Sequence, residues 1–187
     1  MNLLRCGTVQ FRHRANDKPY NLSVIERFAG EAAGAGVQIL AFPEMCITGY
    51  WHVRRLGRDA LEQLAEPASG GSSVETIRGL AHRHRMTIGA GLIERGEDGR
   101  LFNAYVVCQP DGVVHCHRKI HAFEHEHIAG GDHYTVFETP HGIKIGILIC
   151  WDNNLIENAR ATALLGADIL MAPHQTGGCD SRSPHAM

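Results

Sequence analysis

The chain has 187 residues, 44% hydrophobic and 20% charged, a composition that builds a globular core rather than a disordered segment. Its formal net charge of −2 gives no electrostatic reason to bind nucleic acid or an anionic membrane, and no apolar run approaches the roughly 18 residues of a spanning helix. Six scattered cysteines without a CxxC pair, behind an N-terminus too polar for a secretory leader, point to reduced thiols in a cytoplasm.

In chain order, LLRCGTVQF (3–11) reads as a first strand. Leu22, Ile25, Phe28, Ala29, Ala32 and Ala33 then fall on one helical face across 21–37, closed by Gly34 and Gly36. VQILAFPE (37–44) is a short apolar strand halted by Pro43. A second helix is expected over 72–85, with Ser72 or Ser73 as its cap. TIGAGLIER and LFNAYVVCQ flank EDGR as a hairpin, and PDG turns the chain into VVHCHRKIH. TVFETP, KIGILIC, a helix over 154–165 and ADILMAP complete the pattern. Strands and helices alternate at both ends of the chain around a hairpin-rich middle, which implies a layered α/β fold. Neither a repeat nor a linker divides residues 1–187, so a single domain is expected. The polar HQTGGCDSRSPHAM stops just after a strand, as a shortened domain would.

Three stations carry chemistry. In GILICWDNNLIEN, Cys150 ends a buried strand; Asn154 and Glu157 have capping-box spacing, and Leu155, Ile156, Ala159, Ala163 and Leu164 form an apolar stripe. A thiol at such a strand-to-helix turn is exposed, near a helix N-terminus and beside backbone N–H groups that suit an oxyanion. Equally, a cysteine there can be an ordinary small core residue. FPEMCITGY places Glu44 after a strand beside Phe42 and Met45, where desolvation would raise its pKa toward the range of proton transfer. HRKIHAF places Lys119 in a strand-like pattern, where an inward lysine needs a negative partner or a developing charge.

The ordered set FPE, HRKIH and GILICWD, followed by ARATALLGADILMAP, resembles the nitrilase superfamily of carbon–nitrogen hydrolases over residues 3–178. The resemblance implies an α-β-β-α four-layer sandwich that assembles as a homodimer or a larger homo-oligomer. It implies that Glu44 is the general base, that Lys119 stabilises the oxyanion and that Cys150 is the nucleophile, with no metal and no cofactor. A second glutamate in the loop after the lysine is either Glu124 or Glu126. The substrate would be a small amide or nitrile, cleaved through a thioester. Trp151, Tyr50 and His174 are candidate substrate contacts, and Trp51, His52 and Tyr134 are further candidates for the pocket wall. Trp151 followed by Asp152 mixes the nitrilase-like and amidase-like patterns, with Asp152 favouring an amide. Members of the family usually continue well beyond the equivalent of Met187, so part of the sandwich would be absent and the alternative is a non-catalytic metal-binding or assembly protein. For that alternative, HCHRKIHAFEHEH offers five histidines with Cys116, although its spacing matches no compact zinc pattern.

Overall fold

Two sheets pack face to face in the computed structural model, which describes residues 3–175. The larger sheet contains β1 (Cys6–Thr8), β2 (Ile39–Ala41), β3 (Thr87–Arg95), β4 (Leu101–Cys108) and β5 (Val114–Arg118), in that order, with β6 (Ile128–Ala129) pairing β4. β1, β2 and β3 run parallel, and the expected β3–β4 hairpin and the following β5 are antiparallel. The smaller sheet is β7 (Thr135–Glu138), β8 (Lys144–Ile147) and β9 (Ile169–Met171). Both β1 and β9 are edge strands among the described residues.

Helices α1 (Lys18–Gly34) and α3 (Ser72–His84) cover the outer face of the larger sheet through Ile25, Ala29, Val74, Ile77, Leu80 and Ala81. Between the sheets lie Ile39, Tyr105, Val107, Phe137, Ile145, Ile147, Ile149 and Met171. α4 (Ile156–Leu164) packs on the outer face of the smaller sheet, completing the α-β-β-α order. Gly146 allows that approach, because a Cβ there would meet Thr162 Cγ2 at 2.2 Å.

Several expected boundaries move for local reasons. α1 starts earlier than residue 21, because the Asp17 side chain accepts from Tyr20 N–H and Pro19 suits the first turn. Gly36 follows the helix at φ +72, as expected of a terminating glycine. The first strand spans three residues rather than 3–11, matching the length that β2 offers before Pro43. α2 (Arg58–Leu64) was missed: Leu61 and Leu64 give only two inward contacts, too few for a visible period.

Neither Ser72 nor Ser73 caps α3. Glu66, reaching over from the preceding segment, accepts from Ser73 N–H at 2.8 Å and Ser73 Oγ at 2.7 Å, placing a carboxylate at the helix N-terminus. The Asn154–Glu157 capping box does not form either. Residues Cys150–Asn154 make a 3-10 turn, and α4 begins after Leu155 without a side-chain cap. The apolar stripe of α4 faces outward as well: Ile156 and Leu164 are each 77% exposed, whereas Asn158 and Thr162 are buried. Hydrogen bonding explains the inversion. Asn158 Nδ2 donates to Asp152 O at 3.0 Å and Tyr134 Oη donates to Asn158 Oδ1 at 2.8 Å, so the polar face ties the helix to the cysteine turn.

Candidate active site

Three backbone features present the three stations to one place. After β2, Phe42 is clamped by Tyr105, whose hydroxyl accepts from Phe42 N–H at 3.1 Å and donates to Phe42 O at 2.7 Å. The chain then turns through Met45 at φ 46, tight against β3. Gly91 makes room for this turn, since a Cβ at that position would lie 2.2 Å from Met45 N. Lys119 follows β5, with its N–H donating to Asn103 O and its carbonyl accepting from Gly131 N–H, both at 2.8 Å. Cys150 follows the extended Leu148–Ile149, anchored by its N–H to Pro173 O at 2.8 Å, at φ 48. A left-handed backbone on a residue with a Cβ costs about 1–2 kcal/mol and is a recurrent feature of functional turns.

Glu44 and Lys119 meet in a fully buried polar cluster, and Cys150 lies partly exposed at its edge, within reach of both charges. Lys119 Nζ donates to Glu44 Oε1 at 2.9 Å and also to Glu124 Oε1. Asn103 Nδ2 donates to Glu44 Oε1 at 2.8 Å and to Glu124 Oε1 at 3.0 Å. Gln175 N–H donates to Glu44 Oε2 at 3.0 Å. Burial raises the Glu44 pKa, and the pull of Lys119 and Asn103 in the other direction does not cancel it. For Lys119, burial opposes the charge, but Glu44 and Glu124 outweigh it and raise the pKa, so the ammonium persists at neutral pH. The partly exposed Cys150 thiol is pushed up to about 11, first by burial and then by the Glu44 charge, with Lys119 opposing. It is therefore a protonated thiol at rest, beside a carboxyl able to accept its proton.

Glu124 enters this cluster and Glu126 does not: Glu124 is 3% exposed, its second oxygen accepting from Phe123 N–H at 3.0 Å, while Glu126 faces solvent. Of the two glutamates, two positions apart, the one directly after Phe123 turns inward. Among the substrate-contact candidates, Tyr50 is buried close enough for Glu44 and Glu124 to raise its pKa further after desolvation. Trp151 is 49% exposed and meets Phe123 edge to face. His174 is exposed, its ring bonded to Ala172 O at 2.8 Å, beside a cavity of about 250 Å³ between the β1 and β9 edges. Of the wall candidates, Trp51 is exposed, His52 bonds Asn16 at 2.6 Å and Tyr134 is spent on Asn158.

The sequence reading missed two structural supports. Asn103, in the middle of β4, bridges the two glutamates, and nothing in LFNAYVVC separates it from a tolerated polar strand residue. Asp152 is fully buried, its oxygens accepting from Ile120 N–H at 3.0 Å and His121 N–H at 2.8 Å. Through these two bonds it straps the lysine segment to the cysteine turn. The histidine-rich segment disperses: His117 is buried against Thr135 with its pKa lowered to about 4, and His115 stacks on Phe137. Among the described residues, no group of three His, Cys, Asp or Glu side chains is placed to hold a metal ion. Nor is any described helix long and apolar enough to cross a membrane.

Comparison with known proteins follows the same lines. The chain is 31% identical over 183 residues to an (R)-stereoselective amidase of a Pseudomonas species, covering 97% of this chain and 63% of that protein. It is 32% identical to an omega-amidase of Xenopus tropicalis, covering 83% of this chain and 58% of the relative. The chain thus spans about three fifths of the length of these relatives. A mutant of the amidase from Nesterenkonia AN1 superposes with a TM-score of 0.80 at 22% identity, over 95% of this chain and 68% of that one, a likeness of fold. Nit3 of Saccharomyces cerevisiae superposes with a TM-score of 0.78 at 25% identity, over 90% and 63%. With the family model for carbon-nitrogen hydrolases matching residues 5–187, the chain belongs to the carbon-nitrogen hydrolase family of the nitrilase superfamily.

Proposed function

We propose that this protein hydrolyses the C–N bond of a small amide through a thioester on Cys150. The observation that carries the reading is the buried Glu44–Lys119–Glu124 cluster next to a cysteine held at positive φ. As the Cys150 sulfur attacks the carbonyl carbon, Glu44 takes the thiol proton and the carbonyl π electrons move to oxygen. Lys119 and the backbone N–H after Cys150 stabilise that oxyanion. Collapse expels the amine, which takes the proton from Glu44, leaving the thioester. Water then attacks the thioester as Glu44 accepts its proton, and the returning electron pair expels the thiol, which recovers a proton through Glu44. Glu124 holds the ammonium in place and adds the second negative charge that keeps it protonated. Tyr50 and Trp151 border the substrate, and no metal or cofactor is required.

The amide preference rests on the amidase names of the relatives; a nitrile is the second substrate class, since the superfamily reaches it with the same nucleophile. The reading extends to one domain over residues 1–187, a cytoplasmic location and a homodimer or larger homo-oligomer. The outward apolar residues of α4 support assembly. Ammonia release from a panel of short amides and nitriles, compared with Cys150→Ala, is the direct test. Turnover in the wild type and none in the variant supports the proposal, and equal release from both would remove it. A purified chain that releases nothing and binds zinc at a defined stoichiometry would instead favour the non-catalytic alternative.

A further inference from the structure

The loop that carries Glu44 and Tyr50 is tied down from outside the cluster, by the start of α1 and the segment before it. Asn16 N–H donates to Thr48 O at 3.3 Å, and Asn21 Nδ2 donates to Ile47 O at 2.9 Å. The His52 ring meets Asn16 Oδ1 at 2.6 Å. Gly49, at φ +89, lets the two segments touch, because a Cβ there would lie 3.1 Å from Ala15 Cα. A fourth tie differs in kind. Tyr50 N–H donates to His13 Nε2 at 3.0 Å, so this nitrogen is the acceptor and the hydrogen of the neutral ring sits on Nδ1. Nδ1 is buried and has no partner among the described residues. An apolar side chain would avoid that orphaned donor, so the bond to Tyr50 is what the ring is there to make.

Tyr50 is where that bond matters. Its side chain is 2% exposed, yet its hydroxyl makes no hydrogen bond among the described residues. Burial is the largest influence on its ionisation, and Glu44, Glu124, Lys119 and Cys150 follow, so the hydroxyl faces the cluster. A backbone tie therefore sets where a free donor stands beside the reacting atoms. The tie also depends on charge. Protonation turns Nε2 into a donor opposite the Tyr50 N–H, and the bond is lost. Burial and then His52 hold the His13 pKa below its usual 6.5, so the ring is neutral at neutral pH. The surrounding charges are engaged elsewhere: Arg14 with Asp17 at 3.6 Å, Lys18 with Glu66 at 2.6 Å and Glu44 with Lys119 at 2.9 Å. Arg12 flanks the ring in the chain, and no carboxylate acts on His13 to hold a proton there.

We infer that His13 is a positioning residue: while its ring is neutral it fixes Tyr50 so that the hydroxyl meets the substrate amide, and protonation of the ring releases it. This deepens the hydrolase reading and rests on it.

Hydrogen exchange at the Tyr50 amide, followed by NMR, reads the bond without reference to turnover. Ammonia release from acetamide, propanamide and butanamide reads its consequence. Between pH 7.5 and 4.5 the protection of Tyr50 N–H in the wild type should fall about fivefold, the weight of one neutral hydrogen bond. In His13→Gln it should stay level, because the side-chain oxygen accepts at either pH. Ile47 N–H, bonded to Gly91 O at 3.0 Å on the same loop, is the control for general loosening and should keep its protection in both proteins. At pH 7.5, His13→Ala should raise KM about fivefold with a smaller change in kcat, and His13→Gln should restore the wild-type value. Tyr50 protection that ignores pH, falls equally in His13→Gln or is lost in parallel with that of Ile47 overturns the inference and leaves the hydrolase reading standing. Hydrolysis with a KM that His13→Ala leaves unchanged overturns it as well. If none of the three amides is hydrolysed while Tyr50 protection still follows the ring, the tie to Tyr50 stands and the hydrolase reading fails.

Discussion

Replacing Asp152 tests whether the site is held together by its own backbone. Its carboxylate is fully buried and each oxygen accepts one N–H from the segment that begins after Lys119, from Ile120 at 3.0 Å and from His121 at 2.8 Å. Hydrogen bonds to a charged group contribute about 1.5–3 kcal/mol each, and an orphaned buried donor costs a comparable amount. Asp152→Asn preserves shape but offers one acceptor, so one N–H faces an NH₂ donor; the expected loss is about 2 kcal/mol. Asp152→Ala loses both bonds, at a cost of about 3–6 kcal/mol against a total stability of about 5–15 kcal/mol for a domain. In urea, with a slope of about 2 kcal/mol per molar, the Asn variant should unfold roughly 1 M earlier with an unchanged slope. Turnover should fall too, because the lysine segment loses its tether to the cysteine turn. An Asn variant that unfolds at the wild-type midpoint would refute the strap.

Two further predictions concern ionisation. Glu44→Gln removes the charge that, after burial, holds the Cys150 thiol up near 11, so the thiol should ionise at lower pH while turnover is lost. The ultraviolet thiolate signal, with the Cys150→Ser signal subtracted, reads this out, and an unchanged midpoint would separate the two groups. His117 is buried neutral, with its pKa lowered to about 4 from the usual 6.5 by burial and then by His133. The unfolded chain takes up that proton first, so stability should fall as pH drops from 6.5 toward 4, by up to about 3 kcal/mol. His117→Leu should flatten the dependence of the urea midpoint between pH 7 and 5; an undiminished slope would show that His117 does not carry it.

The local sequence determined most of what is periodic or self-contained. The β3–β4 hairpin, the strand leading to Cys150 and the glycine that ends α1 follow from alternation, β-branching and turn chemistry over a few residues. So does the order of the three stations, because each motif is contiguous. What the sequence left open depends on contacts across the chain. Glu124 was chosen over Glu126 by the position of Lys119 and of Asn103 on β4. α3 takes its cap from Glu66 rather than from its own serines, and Asp152 turned from a family marker into a strap. The outward stripe of α4 shows the same limit: amphipathicity says that a helix has two faces, but the Asn158–Tyr134–Asp152 hydrogen bonds decided which one meets the sheet. Helical and strand periods are short-range properties of the backbone, whereas satisfying a buried polar group requires a partner whose place exists only once the layers have packed.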